Sequence, residues 1–315
     1  MITFKSLLSL LSLGASGALA APAVYTFTSG EGGFHTQTHF VDSGREVVAI
    51  DAQFTPALAE EAIAFLRTRT KSPIRYLVVT HPNPDKFNGI PAFRKASPGL
   101  RVLAARRTAD AMPAVHEYKK FFFTRIAKSF AEDAYPRLDK IDETFVGTKV
   151  LRLAGGLRVE LSELAGPGVS SNQSVVSVPG LKALFVGDLV HHRAHAWLEG
   201  GVASGKAVPT IGGWIEGLRE LERRFSRVVG AQVYGGRGEV APLAIAVRDQ
   251  IAYLERADRI VRDYVEGLGA RKSELNGPEA GRHHAAVQAL FERAFPAYAL
   301  PYMVGYGVYG LLSVK

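Results

Sequence analysis

The densest run of chemically capable residues in the chain is Thr80-His81-Pro82-Asn83-Pro84-Asp85-Lys86-Phe87-Asn88-Gly89, directly after the apolar segment Ile74–Val79. A strand that runs into imidazole, amide, carboxylate and ammonium groups places them at its C-terminal end, where open α/β sheets bind ligands. Downstream, Gly187-Asp188 is followed by His191, His192, His195 and Trp197, and a third group is Gly236-Arg237-Gly238. The histidines can serve as acids or bases near neutral pH, or stand as ordinary loop residues. With no cysteine in the chain, thiolate zinc sites, cysteine nucleophiles and disulfide scaffolds are excluded, so any metal must be held by nitrogen and oxygen. Ser170, Ser171 and Ser174 form no G-x-S-x-G elbow, which leaves a serine hydrolase unsupported. His35 and His39 on one strand, His116, and His283-His284 on a helix read as core or surface polar residues.

The flanking pattern supplies the elements. Strands are expected at Val24–Thr28, Thr36–Val41, Glu46–Ile50, Ile74–Val79, Arg101–Ala105, Thr148–Leu153, Arg158–Leu161, Ser174–Val178, Ala183–Val186 and Arg227–Tyr234, with a Pro179-Gly180 hairpin between two of them. Helices are expected at Thr55–Arg69, with Thr55 as N-cap before Pro56, then at Ala109–Glu132, Ile211–Arg224, Pro242–Leu268 and Glu279–Ala294. The Tyr/Gly-rich tail 297–315 is expected to close over the domain, because so many aromatics favour burial. Two α/β halves with a helical end is the coarse architecture.

At 315 residues, 47% hydrophobic and 22% charged, the chain can bury a sizeable core in one or two domains. Residues 1–20 carry one cation, Lys5, an apolar run from Leu7, and Ala18 and Ala20 at the small positions, a cleavable export signal too short to span a membrane. Cleavage is expected near Ala20, giving a periplasmic or secreted chain without stable membrane insertion. The net charge of +8 is scattered, with no basic face or motif that would mark a nucleic-acid binder, and is compatible with a small-molecule ligand, anionic ones included.

The order strand, Thr80-His81-x-Asn83-x-Asp85-Lys86-x-x-Gly89, helix, Gly187-Asp188, strand, Gly236-Arg237-Gly238 resembles the metallo-β-lactamase-fold hydrolase superfamily from about Val24 to Gly238. Asp51, ending Ala49-Ile50-Asp51, matches that family's pattern as well. The resemblance implies an α/β fold, an αββα sandwich over 21–240 with C-terminal helices and tail over 241–315 packed on the same domain. Family loops read T-H-x-H-x-D-H-x-G-G, with further histidines later, and bind zinc whose water is activated for attack on a carbonyl. His81, Asp85 and Asp188 carry over as metal ligands, if a metal is bound. Asn83, Lys86 and Arg237 stand where histidines belong, and no histidine lies between His116 and His191. The sequence therefore departs from the metal-ligand motif at four positions, and the expected cofactor is none or a single divalent metal, zinc included, rather than a two-zinc site.

The leading expectation is an exported hydrolase of a small ester, lactone or amide, with β-lactams outside its range. Asp85 and His191 are its candidate catalytic residues, and Asn83, Lys86, His192, His195, Trp197 and Arg237 its candidate substrate-binding residues. The alternative is a non-catalytic ligand-binding pseudoenzyme in which Lys86 and Arg237 pair with Asp85 and Asp188 in place of metal. Folds host many functions, so the choice turns on the site's geometry.

Overall fold

In a computed structural model of the chain, residues 21–313 are described; the export signal expected at residues 1–20 lies outside them. The first half runs β1 (Ala23–Thr28), β2 (Gln37–Asp42), β3 (Val47–Ile50), α1 (Pro56–Arg67), β4 (Ile74–Val79), α2 (Pro84–Phe87), α3 (Ile90–Ala96), β5 (Arg101–Ala105), α4 (Arg106–Phe121) and β6 (Glu143–Phe145). The second runs β7 (Thr148–Arg152), β8 (Arg158–Glu163), β9 (Ser174–Val178), β10 (Ala183–His192), β11 (Gly201–Ala203), β12 (Lys206–Val208), α5 (Ile211–Phe225), β13 (Gln232–Gly238) and β14 (Ala241–Pro242). Then come α6 (Leu243–Leu268), α7 (Ala280–Ala294), α8 (Tyr302–Gly307) and α9 (Tyr309–Leu312).

Two six-stranded sheets result, ordered β1-β2-β3-β4-β5-β6 and β14-β13-β10-β9-β8-β7, beside a small β11-β12 hairpin. Strand alternation explains how they stack. Val48 and Ile50 of β3, Val78 of β4 and Phe185 of β10 share the core between the sheets. Their neighbours Val47 and Ala49, with Leu77 and Val79, face α1 and α3. Leu184 and Val186 face the helices of the second half. The layers are therefore helix, sheet, sheet, helix, and both sheets are covered on both faces. The C-terminal helices join the outer core through Tyr253, Leu254, Phe291, Met303, Val304 and Leu311. Among the described residues, no helix is long and apolar enough to cross a membrane.

Three sequence expectations are corrected. β10 does not stop at Val186 but runs to His192, because a register irregularity absorbs Gly187 within the strand. The helix expected over Ala109–Glu132 starts at Arg106 and ends at Phe121, where a π-helical turn, Phe122–Ile126, follows. The strand expected at Arg227–Tyr234 begins at Gln232 instead. Its apolar Val229 is 81% exposed in the preceding turn, so hydrophobicity there does not mark a strand.

Candidate functional site

The site is built where β3 and β4 end, with Asp188 from within β10 and Arg237 from near the end of β13. Where β4 ends, Asp51 at the end of β3 holds the next turn. Its Oδ1 accepts from the Thr80 backbone N–H and its Oδ2 from the Thr80 hydroxyl, both at 2.9 Å. Burial pushes the Asp51 carboxyl up to about 6, against the pull of Lys86 and His81. The Thr80 carbonyl accepts from Ser174 N–H at 2.8 Å, which pins the loop to the second sheet. Asn83 then takes the N-cap position of α2 without a side-chain cap bond, and Pro84 is the first helical residue, a position where a missing N–H costs nothing. One short turn later, Asp85 and Lys86 have been turned inward.

Four charged side chains meet there. Lys86 Nζ lies 2.8 Å from Asp85 Oδ2 and 2.7 Å from Asp188 Oδ1. Arg237 donates through Nη1 to Asp188 Oδ2 at 2.6 Å and through Nη2 to Asp85 Oδ2 at 2.8 Å. Its remaining contacts are Nη2 to Thr36 Oγ1 at 2.9 Å and Nε to the Phe34 carbonyl at 2.7 Å. Lys86 is completely buried, and the other three are at most 7% exposed. Burial pushes the Asp85 carboxyl up, but Lys86 and Arg237 outweigh it and hold the group at about 2. Asp188 is held well below the carboxylate range by Arg237 and Lys86 against the same burial effect. Both cations are stabilised in return, each raised by Asp188 and Asp85 in spite of burial.

Glycine makes the approach possible. A Cβ on Gly236 would lie 1.8 Å from Asp188 Oδ1, and Gly187 adopts φ +50 with Thr80 Oγ1 against its open side. A side chain at 236 would fill the space that the Asp188 carboxylate occupies.

Above the cluster lies a narrow cleft lined by Asn83, Asp85, Asp188 and Arg237 on its floor and by Phe34, Phe54, Phe123, Trp197 and Lys119 on its walls. Phe34 sits 5.1 Å from Phe54 and 5.7 Å from Trp197, centroid to centroid, both edge-on. Space for the centre of a water-sized molecule is about 30 Å³, room for one or two waters. Lys119 lies with its ammonium 4.5 Å from the Trp197 ring centroid and is paired to buried Glu199, which also accepts from Trp197 Nε1 at 2.7 Å and from the Tyr309 hydroxyl. The Trp197 ring stacks at 3° on Tyr306 of α8, so the C-terminal segment forms the outer side of this wall.

The sequence-nominated residues thus separate into groups. Asn83, Asp85, Asp188, Trp197 and Arg237 converge on the cleft, while Lys86 lies beneath it. His81 and His191 sit behind Asp188, each with Nε2 3.6 Å from its carboxylate, beyond hydrogen-bond reach, and neither lines the cleft. Burial holds His191 below the ordinary histidine value. His192 and His195 are not brought to the site. His192 Nε2 meets Asp249 Oδ2 at 3.2 Å, and His195 is enclosed by Tyr253, Phe291, Phe295 and Tyr298. The physical reason is that β10 runs on past Asp188 and carries both toward α6 and α7. Phe34, Phe54, Lys119 and Glu199 were not singled out from the sequence, and nothing in their local spacing marks them as cleft residues.

These residues do not fit the metal that the resemblance implies. A cation bridging Asp85 and Asp188 would have to take the space between Lys86 and Arg237, where each unit-charge repulsion at 4 Å is about 4 kcal/mol at an effective dielectric of 20. The amide of Asn83 and the positive groups of Lys86 and Arg237 supply none of the missing imidazoles. Among the described residues, no group of three or more His, Cys, Asp or Glu is placed to hold a metal ion.

Comparison with known proteins agrees with the architecture. The sequence pattern of the metallo-beta-lactamase superfamily matches residues 32–236. A metallo-beta-lactamase from Pontibacter korlensis is similar at a TM-score of 0.52 with 19% identity, over 74% of this chain and 94% of that one. The DIM-1 metallo-beta-lactamase gives a TM-score of 0.52 and 19% identity over 74% and 92% of the two chains. FIM-1 from Pseudomonas aeruginosa, solved in a mono-zinc form, gives 0.50 and 17% over 74% and 90%. At these identities the likeness speaks for the fold alone. No curated protein matches the chain. With the superfamily pattern covering residues 32–236, Asp51, Asp85 and Asp188 among them, the chain belongs to the metallo-beta-lactamase superfamily.

Proposed function

We propose that this chain is a non-catalytic, ligand-binding pseudoenzyme of the superfamily, in which Lys86 and Arg237 replace the metal centre with fixed positive charge. The observation that carries the reading is Lys86 Nζ seated between Asp85 and Asp188, at 2.8 and 2.7 Å. With both carboxylates engaged by two cations, the charge of the floor is balanced by the chain's own side chains. Each cation near the cleft is already paired, which counts against an anionic ligand. The polar handles left toward the cleft are the Asn83 amide and Asp85 Oδ1, neither of which has a hydrogen-bond partner among the described residues. With the aromatic walls, they suit a small aromatic or apolar ligand bearing a hydrogen-bond donor. The signal-like pattern of residues 1–20 supports export of the mature chain, to be checked by the N-terminal sequence of protein recovered outside the cytoplasm.

A hydrolase of small esters, lactones or amides is the competing reading. It is favoured by His81 Nε2 and both ring nitrogens of His191, which lie buried without a hydrogen-bond partner beside Asp188. Against it, neither imidazole reaches the cleft. The test is elemental analysis of protein purified without chelator, followed by assay on esters, lactones and β-lactams with and without added zinc. Substoichiometric metal and no metal-dependent turnover are expected. One or two equivalents of tightly bound metal, with turnover that chelation abolishes, would return the hydrolase to the lead.

A further inference from the structure

A second concavity lies on the far side of the Trp197–Tyr306 wall. It is a groove of about 480 Å³, within the range of about 300–1,000 Å³ typical of small-ligand sites. Its walls come from the end of α4 and the following π-helical turn, from the start of α7, and from α8 and α9. Phe122 stacks on Tyr309 at 14° and 5.8 Å inside it. At its mouth Phe121, Ile126 and Tyr306 are exposed at 58%, 62% and 42%, an apolar cluster that solvent alone does not explain. The π-helical turn is a second sign, since such turns cost helix regularity and concentrate at functional positions.

Its chemistry selects one kind of occupant. The described lining contains no Asp, Glu, Lys or Arg, and His284 is held toward its neutral form by burial and by His283. The hydroxyls of Tyr118 and Tyr309 are spent on each other and on Glu199. A charged ligand would lose its hydration with no countercharge to replace it, whereas ring faces and edges on several sides favour a planar apolar molecule. We infer that this groove is a binding site for an uncharged aromatic small molecule, separate from the cleft over the ion-pair cluster. The inference does not depend on the function proposed above. Because Tyr306 belongs to this groove and stacks on Trp197 of the cleft, an occupant is sensed at the cleft wall.

The test uses the full chain and N-phenyl-1-naphthylamine, an uncharged aromatic probe whose emission rises in apolar surroundings. Saturable one-to-one binding is expected, with a matching fall in tryptophan emission as Trp197 transfers energy to the probe. Ala280→Phe fills the groove and should weaken binding by about tenfold or more, corresponding to ~1.4 kcal/mol. Ile126→Glu places a charge at a solvent-exposed rim position without touching the core, and should weaken it severalfold. Non-saturating uptake, or unchanged binding in a folded Ile126→Glu protein, would overturn the assignment. So would a concentration-dependent dimer that excludes the probe, which would make the groove an interface between copies.

Discussion

Lys86 Nζ and Asp188 Oδ1 are 2.7 Å apart although 102 residues separate them in sequence and they sit on opposite halves of the fold. This contact joins the two sheets through charge at the edge of a core that otherwise joins them through apolar side chains. Its neighbours Arg237 and Asp85 complete a square in which each cation touches both carboxylates. Taking four such groups out of water costs several kcal/mol per ion. The arrangement therefore secures geometry more than net stability, and it is most sensitive to the loss of one member.

Lys86→Met is expected to destabilise the protein by about 3–5 kcal/mol, because it leaves buried carboxylate charge with Arg237 alone. The exposed pair Lys95–Glu60, at 80% and 57% side-chain exposure, supplies the control: Lys95→Ala should stay within about 0.5 kcal/mol. Urea unfolding of both variants gives the comparison.

Restoring imidazoles should restore metal affinity. The triple variant Asn83→His, Lys86→His, Arg237→His removes two competing cations and adds three nitrogen donors beside Asp85 and Asp188. Titration calorimetry should show zinc binding in the variant well above that of the unmodified chain, and a stability gain on adding zinc. Equal affinity in the two proteins would show that the cations do not exclude metal.

Acid should weaken the fold below pH 6.5. His39 is buried, its Nδ1 bonded to Thr26 Oγ1 and its Nε2 to the Gly235 carbonyl, and burial lowers it from 6.5 to about 4. Between those values the unfolded chain binds the extra proton, so stability falls with pH by up to ~3 kcal/mol. Asp51 works in the opposite sense, since its carboxyl is raised to about 6 and the folded state gains protons there first. Burial lowers His191 and His195 too, which tips the balance toward acid loss. Replacing the titrating ring in His39→Gln should flatten the decline between pH 6.5 and 4 in denaturant titrations. The Asp85 contribution, with its carboxyl held at about 2, is lost only as pH falls from about 4 toward 2.

Two glycines should respond oppositely to alanine. Gly236→Ala puts a methyl 1.8 Å from Asp188 Oδ1 and should cost about 1–3 kcal/mol through displacement of the carboxylate. Gly212 lies in α5 with nothing within 4 Å of an added Cβ, so Gly212→Ala should gain up to about 1 kcal/mol from helix propensity. Thermal melts of the pair separate a packing constraint from a general glycine effect.

The sequence made the strand-end loops legible because strong local rules govern them. Ile74–Val79 and Arg101–Ala105 begin and end at the expected residues, and the Thr55 side chain caps α1 by accepting from Leu58 N–H, with Pro56 following as the first helical residue. Asp85 opposite Arg237 was readable from charge type at family positions. What escaped is long-range. Glu199 finds Lys119 and Tyr309 from 80 and 110 positions away, and no local periodicity encodes such meetings. His192 and His195 were misplaced because Gly187 suggested a strand end, and with the strand continuing, the chain's path after Asp188 turns elsewhere. His35, expected on one strand with His39, instead precedes β2 in a turn with φ 51.

Apart from the neighbours Asp85 and Lys86, the contacts of the charge square join residues 49 to 152 positions apart, and Arg237 also reaches the Phe34 carbonyl 203 positions back. Closing loops of that length costs entropy before any contact rewards it, so the square forms after the individual sheets have condensed. Interactions made late act on the exit from the native state rather than on its entry. The cluster is thus expected to act as a kinetic clasp: weakening it at Lys86 or Arg237 should speed unfolding and leave the refolding rate nearly unchanged, which stopped-flow unfolding and refolding in urea would check.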